Sequence, residues 1–206
     1  MVREIGVEKL DGLSPSHPHA IANRKDLHRI NRLLGTNRWF ERVLPEIVRP
    51  GIRILELGAG DGAMSDFLRR RLNKTSSWQW HALDIQQVPG RIDDGLQWHQ
   101  ADLLQFDEYE SHEVVFGNFI LHQFDRNALK RLGERLHKGT RALVFQELWR
   151  KHAFYWSSFL LTLFMHKVTR HDARVSVRAG FQGEELADLL GLNPNTWKVS
   201  VEYSLL

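Results

Sequence analysis

The segment from Ile52 to Gly62 constrains the fold more than any other part of the chain. Its first half, Ile-Arg-Ile-Leu-Glu-Leu, is the aliphatic and β-branched run expected of a buried strand. Gly58, Gly60 and Gly62 follow at alternate positions, and apolar residues then recur at helical spacing as far as Leu72. Glycine lets the backbone turn sharply and come close to a ligand. A strand, a glycine turn and a helix in this order predict a nucleotide-cofactor site at the carboxyl end of a parallel strand.

Two cofactor patterns compete for these glycines. The dinucleotide pattern Gly-x-Gly-x-x-Gly/Ala fits loosely through Gly58, Gly60 and Ala63. The pattern acidic-x-Gly-x-Gly-x-Gly is met in full, with Glu56 as its acidic residue. A pyrophosphate favours a helix N-terminus presented directly to the anion. Glu56 and Asp61 instead suit a ligand that carries an ammonium and a sulfonium.

The second pattern resembles the first motif of class I S-adenosylmethionine (SAM) methyltransferases. The resemblance implies that the loop holds SAM, which has an amino acid, a ribose and an adenine but no phosphate. The residues assigned to the cofactor in this loop are Glu56, Gly58, Ala59, Gly60, Asp61 and Gly62.

Acidic residues also follow the next two predicted strands. Asp84 ends the strand 78–83, about twenty residues past the glycines, where such folds bond the ribose hydroxyls. Asp102 follows the strand 96–100, and the family resemblance implies that it meets the exocyclic amine of adenine. We place the neighbouring Ile85 and Leu103 in the same site. Taken alone, each aspartate also suits a helix N-cap or a turn.

The fourth predicted strand, 113–119, leads into a segment that resembles the "N-x-x-L-H-H-F" of small-molecule methyltransferases related to quinone-biosynthesis enzymes. The resemblance implies that Asn118 and Phe119 line the methyl-transfer centre, with His122 one short turn further. Enzymes that methylate the exocyclic nitrogens of bases usually carry Asn-Pro-Pro-Tyr or Asp-Pro-Pro-Tyr here. The chain has Asn-Phe-Ile-Leu instead, which disfavours a nucleic-acid substrate.

Strands alternate with helices along the chain, and this predicts a mostly parallel Rossmann-like α/β sheet with helices on both faces. Residues 1–20 show no periodicity and are predicted to form a flexible arm, with one domain over 21–206. Within that domain, 21–50 form an N-terminal helical cap. Its first helix, 21–34, is predicted to carry four apolar residues on one side: Leu27, Ile30, Leu33 and Leu34.

The carboxyl-terminal part departs from the family pattern. After a fifth strand at 141–146, a helix is predicted at 183–191 and a strand at 196–203. A full class I sheet ends with a further antiparallel strand, and only three residues remain. Either the sheet is short at this edge and lacks its last strand, or the chain is truncated.

The stretch 153–165 is uncharged and rich in aromatic residues, but it is too short to span a bilayer. It suits a helix packed on the sheet, or a lid over an apolar acceptor within a lid insertion at 150–182. Basic residues flank both ends, which also suits an interfacial helix with peripheral membrane contact near anionic headgroups.

Residues 168–181 resemble a small bacterial methyltransferase group, often encoded near type III polyketide synthases, that reads "R-H-D-x-x-x-S-V-R-x-x-F" here. The combined resemblance covers most of 25–200. It implies methyl transfer to an O or C atom of a hydrophobic phenolic, quinone or polyketide-type acceptor. A histidine suits proton removal at neutral pH. His122 is the first candidate, and His171, oriented by Asp172, is the second.

Composition excludes some chemistry. The 206 residues suffice for one domain, and the absence of cysteine excludes disulfides and thiolate nucleophiles and fits a reducing cytoplasm. No metal is predicted, because Asp84, Asp102 and His122 are assigned to the cofactor and acceptor on separate strands. The net charge is +3, with a short basic cluster at 69–71. A non-catalytic SAM-binding partner protein, an RNA methyltransferase and a dehydrogenase remain alternatives.

Overall fold

The computed structural model describes residues 1–10, 12–14, 16–47, 49–87 and 94–203. The chain divides into two compact units. One, the sheet unit, comprises Thr36–Ile120 and Asn127–Gln146; the other, the helical unit, comprises Met1–Gly35, Leu121–Arg126 and Glu147–Leu206.

The regular elements follow one another with short connections. In chain order they are α1 (Pro18–Leu33), α2 (Thr36–Ile47), β1 (Arg53–Leu57), α3 (Ala63–Ser76), β2 (Gln79–Asp84), β3 (Leu96–Gln100), β4 (Val114–Asn118), α4 (Arg126–Leu136), β5 (Ala142–Gln146), α5 (His152–Thr162), α6 (Lys167–Ala179) and α7 (Glu185–Leu189). Two short 3₁₀ segments lie at Glu108–Ser111 and Leu121–Gln123.

Five parallel strands form the sheet, in the order β3-β2-β1-β4-β5. In register, Ile54 of β1 lies beside Trp80 of β2 and Val114 of β4. This order places β1 in the centre of the sheet. The chain builds one half of the sheet with β2 and β3 and the other half with β4 and β5, so the loop after β1 lies at the carboxyl edge between the two halves. Ligands bind at such a position in open α/β sheets. The predicted Rossmann-like parallel sheet is confirmed.

Buried apolar side chains cover both faces of the sheet. On one face, Phe40 of α2 and Leu68 of α3 pack in one cluster with Trp80 and Phe116, all with at most 1% of their surface exposed. Alternate strand positions, such as Leu55, point to the opposite face and are equally buried. The helix α4 buries its own stripe of leucines: Leu129, Leu132 and Leu136. Helices therefore lie on both faces, and each large buried side chain contributes about 1.5–3 kcal/mol.

The first residues of the helical unit, which fall in the predicted arm 1–20, are hydrogen-bonded to the rest of that unit. The backbone N–H of Glu4 donates to the Arg178 carbonyl at 3.2 Å. The guanidinium of Arg3 donates to the carbonyls of Ala179 and Phe124, each at 2.8 Å. The segment lacks periodicity because its contacts are made by backbone and polar groups rather than by an apolar stripe.

The apolar side predicted for α1 is only partly buried. Leu27 and Leu33 are exposed, and the buried positions are Ala20, Asn23, Asp26 and Ile30. The reason is a polar contact between α1 and the start of α6. Asp26 accepts hydrogen bonds from the backbone N–H of His166 at 2.7 Å and from the hydroxyl of Thr169 at 2.9 Å. The apolar periodicity therefore indicated a helix but not the face that it buries.

The strand predicted at 196–203 is also wrong, because residues 197–203 have no regular secondary structure and no strand pairs with them in the described part of the chain. Tyr203 instead accepts a hydrogen bond from the backbone of Gly183 at 2.8 Å and packs against Trp149. Alternating side chains alone do not make a strand without a partner backbone. Among the described helices, none is long and apolar enough to cross a membrane.

Candidate functional site

The loop after β1 holds all three motif glycines in the left-handed region. The φ angles of Gly58, Gly60 and Gly62 are 64°, 62° and 73°, values that L side chains rarely adopt. Their surroundings differ. A Cβ on Gly58 would lie 2.7 Å from the Ile120 side chain, and one on Gly62 would lie 3.3 Å from Trp98. A Cβ on Gly60 would meet no described residue within 4 Å. Of the three motif glycines, Gly60 is therefore the one whose backbone is not covered by another described side chain.

Asp84, at the end of β2, fixes the middle of this loop. One carboxylate oxygen accepts from the backbone N–H of Gly60 at 2.7 Å, and the other accepts from the backbone N–H of Gln86 at 2.8 Å. Burial raises the pKa of Asp84, and these N–H donors oppose that rise. Each oxygen keeps a lone pair for a further donor. The next residue, Ile85, exposes 64% of its side chain at the same strand end.

Glu56 has a role that the sequence pattern did not indicate. Its side chain is buried and accepts hydrogen bonds from the backbone N–H and the hydroxyl of Ser65. Burial raises the pKa of Glu56 to about 8, so the side chain is mainly neutral at pH 7. It therefore connects β1 to the first turn of α3 and does not supply the negative charge expected of it. In the loop itself, Asp61 accepts from the Ala63 backbone at 3.2 Å.

The remaining cofactor candidates lie at neighbouring strand ends. Asp102 accepts from the Leu104 backbone at 2.8 Å in a turn, and Leu103 is buried. Asn118 ends β4. Phe119 has a φ of 53°, which is unusual for a residue other than glycine, and its N–H donates to the Gln146 carbonyl at 2.9 Å. Such strain costs about 1–3 kcal/mol and clusters at functional sites.

His122 lies in the helical unit between two carboxylates. Its Nδ1 is 3.0 Å from Glu147 Oε2, and its Nε2 is 3.3 Å from Glu8 Oε1. Burial alone would lower the pKa of His122, but Glu147 and Glu8 outweigh burial and raise it to about 9. The ring is thus an imidazolium at neutral pH, with both nitrogens donating. The first candidate for the general base has no lone pair with which to accept a proton.

His171, on α6 of the helical unit, has the geometry of an oriented base. Its Nδ1 lies 2.9 Å from the Asp172 carboxylate, and 41% of the side chain is exposed. Asp172 is itself held by the backbone N–H groups of Lys9 and Leu10, at 2.9 and 3.1 Å. An aspartate that accepts from Nδ1 fixes the tautomer that leaves Nε2 free to take a proton. The second candidate thus fits the role better than His122.

Sequence reasoning missed Glu8 and Glu147. Glu147 directly follows β5, a strand-end position at which functional side chains are expected. Its other carboxylate oxygen accepts from the Leu121 backbone at 2.7 Å. Glu8 lies in a segment without periodicity and bonds both His122 and the hydroxyl of Ser176. Nothing in the local sequence around Glu8 indicates that partnership.

The basic cluster on α3 is engaged with acidic side chains of the sheet unit. Arg69 and Arg70 contact Asp66 at 3.2 and 2.9 Å, and Arg71 contacts Glu41 at 3.0 Å. These pairs satisfy charges that an RNA-binding surface would present to phosphates. The cluster therefore gives no support to the RNA methyltransferase alternative.

The fold is that of known methyltransferases. The plantazolicin methyltransferase BpumL, solved with a triazolic desmethylPZN analog and SAH, is 15% identical with a TM-score of 0.61, over 81% of this chain and 67% of that one. BamL, another plantazolicin methyltransferase, is 14% identical with a TM-score of 0.56, over 85% and 67%. Human N-acetylserotonin methyltransferase, solved with SAM, is 15% identical with a TM-score of 0.50, over 82% and 56%.

No protein-family model matches the chain, and no curated protein matches it in sequence. At these identities the structural likeness establishes the class I methyltransferase fold, and the chemistry must be argued from the residues.

Proposed function

We propose that the chain is a SAM-dependent methyltransferase that acts on an O or C atom of a hydrophobic small molecule of phenolic, quinone or polyketide type. The observation that carries the proposal is the pairing of Gly60 with Asp84. A bare, left-handed backbone that opens to space lies 2.7 Å from a carboxylate at the ends of adjacent parallel strands. The structural neighbours solved with SAM or SAH have the same fold.

The sheet unit offers chemically distinct contacts for each part of SAM. The free lone pairs of Asp84 suit the ribose hydroxyls, and the exposed Ile85 suits one face of the adenine. The open backbone at Gly60 and the carboxylate of Asp61 suit the methionine part, which carries the ammonium. Asp102, at the end of β3, keeps acceptor capacity for the adenine amine. When bound, SAM supplies an electrophilic methyl group on its sulfonium.

Proton removal from the acceptor is assigned to His171. Its Nε2 would accept the proton of a phenol or enol acceptor, and Asp172 would stabilise the resulting imidazolium. His122 serves as a positioning residue, because as an imidazolium it connects Glu147 and Glu8 across the helical unit. The sequence had favoured His122 over His171 as the base, and the order is reversed here.

An apolar acceptor is supported by exposed side chains in and after α5. Trp156, Leu160 and Phe164 expose 63%, 66% and 95% of their side chains. In the same unit, Arg174 lies over the Phe159 ring and Arg178 over the Tyr155 ring. Exposed apolar groups of this size beside cations suit a lid for a hydrophobic acceptor or contact with an anionic lipid surface. We retain 150–182 as the proposed lid insertion.

Calorimetric titration with SAM tests the cofactor assignment. The variant Asp84→Asn should weaken SAM binding about tenfold or more, because an amide cannot accept from both ribose hydroxyls as a carboxylate does. Asp94→Asn is the matched control, since Asp94 is an exposed aspartate in the same connection, and it should bind SAM like the parent chain. Equal binding by the two variants would remove the ribose assignment, and preference for NAD over SAM would favour the dehydrogenase alternative.

Methyl transfer from labelled SAM to a panel of phenols and quinols tests the catalytic assignment. His171→Gln should lower kcat about 10²–10⁴-fold with unchanged SAM affinity. His28→Gln, an exposed histidine of the same unit, should leave both unchanged. SAM binding without turnover of any acceptor would favour the non-catalytic SAM-binding partner.

A further inference from the structure

Three histidines of the sheet unit converge beside β2 and β3. His81 lies on β2, His99 on β3, and His112 follows the 3₁₀ segment Glu108–Ser111. One ring nitrogen from each lies within 4.8 Å of the other two. In the parallel register His81 lies beside Gln97 and Leu83 beside His99, so both strand histidines face away from the cluster that contains Trp80. Sequence analysis assigned these three residues no role.

The shortest contact joins the two strand histidines. Nδ1 of His81 lies 2.9 Å from Nε2 of His99, and their rings are stacked with an interplanar angle of 13°. One of the two nitrogens donates and the other accepts. The ring of His112 stands nearly perpendicular to both, at 82° and 87°. One ring nitrogen of each histidine is thus directed toward the same small space between the three rings.

His112 is arranged as a metal ligand is. Its Nδ1 lies 2.9 Å from the Glu108 carbonyl, which can only accept, so Nδ1 carries the proton. Nε2 then keeps a lone pair. It is buried, and it has no hydrogen-bond partner among the described residues. Metal-bound histidines commonly donate their other nitrogen to a backbone carbonyl in this way.

The charge state also suits a metal. Burial lowers the pKa of all three histidines, that of His81 to about 4. Neutral imidazole is the form that binds metal ions. Two charged side chains act on the cluster with opposite sign: Arg53 disfavours a cation near His81 and His112, and Glu108 favours one near His99 and His112.

We propose that His81, His99 and His112 bind a divalent late first-row transition metal, with Zn²⁺ as the expected ion. Imidazole ligands suit this class of metal. Tetrahedral Zn²⁺ with Zn–N distances of about 2.0–2.1 Å needs nitrogens about 3.3 Å apart. The present separations of 2.9 Å to at most 4.8 Å need side-chain adjustments of about 0.4–1.5 Å.

Binding requires no proton release from the cluster. The strand histidine that now donates changes its tautomer and moves its proton to its other ring nitrogen. His99 is only partly buried, so a water molecule completes the fourth position from that side. The metal would join β2, β3 and the segment that leads into β4, and it would therefore raise the thermal stability of the chain.

The test uses the full chain after removal of metal with EDTA. Titration with Zn²⁺ should show one tight equivalent and a rise in Tm, and Co²⁺ should give the intense visible absorption of a four-coordinate site. His99→Gln should lower Zn²⁺ affinity at least 100-fold and abolish that absorption. His137→Gln, an exposed histidine of the same unit, should change neither.

Two results would overturn the proposal: Zn²⁺ binding of equal strength in His99→Gln and the parent chain, or a weak six-coordinate Co²⁺ spectrum in the parent. The second result needs no variant, so a folding defect in His99→Gln leaves the test intact. Neither measurement depends on methyl transfer, and failure of the proposed function would not affect them.

Discussion

At the residue scale, each of the three motif glycines is required for a different physical reason. Gly58 leaves room for Ile120, Gly62 leaves room for Trp98, and Gly60 leaves space that no described residue fills. A sequence pattern shows all three positions alike, because each requires a positive φ. Only the three-dimensional surroundings show which glycine packs against a side chain and which has an exposed backbone. Gly60, more than its neighbours, is therefore the position at which a cofactor could approach the backbone.

A matched pair of glycine variants distinguishes the effect of backbone strain from an effect on SAM binding. Gly51 also has a positive φ, 80°, and a Cβ there would meet nothing within 4 Å among the residues that the structure describes. Gly60→Ala and Gly51→Ala should each lower the free energy of unfolding by about 1–2 kcal/mol. Only Gly60→Ala should also weaken SAM binding, which calorimetry measures. Equal SAM affinity in the two variants would mean that no ligand approaches the backbone at Gly60.

At the element scale, α1 shows how a polar contact can override an apolar pattern. The helix turns Asp26 inward and Leu27 outward because the carboxylate satisfies backbone and side-chain donors at the start of α6. Unsatisfied buried donors cost more than a partly exposed leucine gains. The helix α5 shows the complementary case, in which large apolar side chains such as Phe164 just beyond its end stay exposed.

Because α1 buries Asp26 and exposes Leu27, loss of the polar side chain should destabilise the chain more than loss of the apolar one. Asp26→Ala should lower the free energy of unfolding by about 2–4 kcal/mol, since it leaves the His166 N–H and the Thr169 hydroxyl without their acceptor. Leu27→Ala should cost less than about 1 kcal/mol, because 38% of that side chain is already exposed. Urea denaturation of both variants measures the difference. A larger loss of unfolding free energy in Leu27→Ala than in Asp26→Ala would instead indicate that the side of α1 carrying Leu27 faces inward.

At the scale of the whole molecule, two buried groups make stability depend on pH. The pKa of His122 is raised from 6.5 to about 9, and that of Glu56 is raised from 4.5 to about 8. Each group binds its proton more tightly in the folded chain than in the unfolded chain. The associated stability is complete below the unfolded pKa and is lost as pH rises to the folded pKa.

The free energy of unfolding should therefore fall between pH 6.5 and pH 9 as these two groups lose their advantage. His122→Gln should flatten the upper part of this decline, and Glu56→Gln should flatten the part below about pH 8. His152→Gln, an exposed histidine, should not change it. Denaturant titrations across this range provide the measurement, and a rise in stability toward pH 9 would contradict the assigned charge states.

The sequence by itself determined the parallel sheet and the glycine loop, because a buried strand run, the motif glycines and helical spacing are patterns of neighbouring residues. The strand order, which makes β1 central, came only from the structure. Tertiary structure alone decided the chemistry of the histidines. His122 meets Glu8 from 114 residues away and Glu147 from 25 residues away, and these carboxylates hold the proton that sequence reasoning expected His122 to accept. His81, His99 and His112 likewise come together only when strands and loop pack. A side chain's pKa and partners depend on distances in space, which local patterns do not encode.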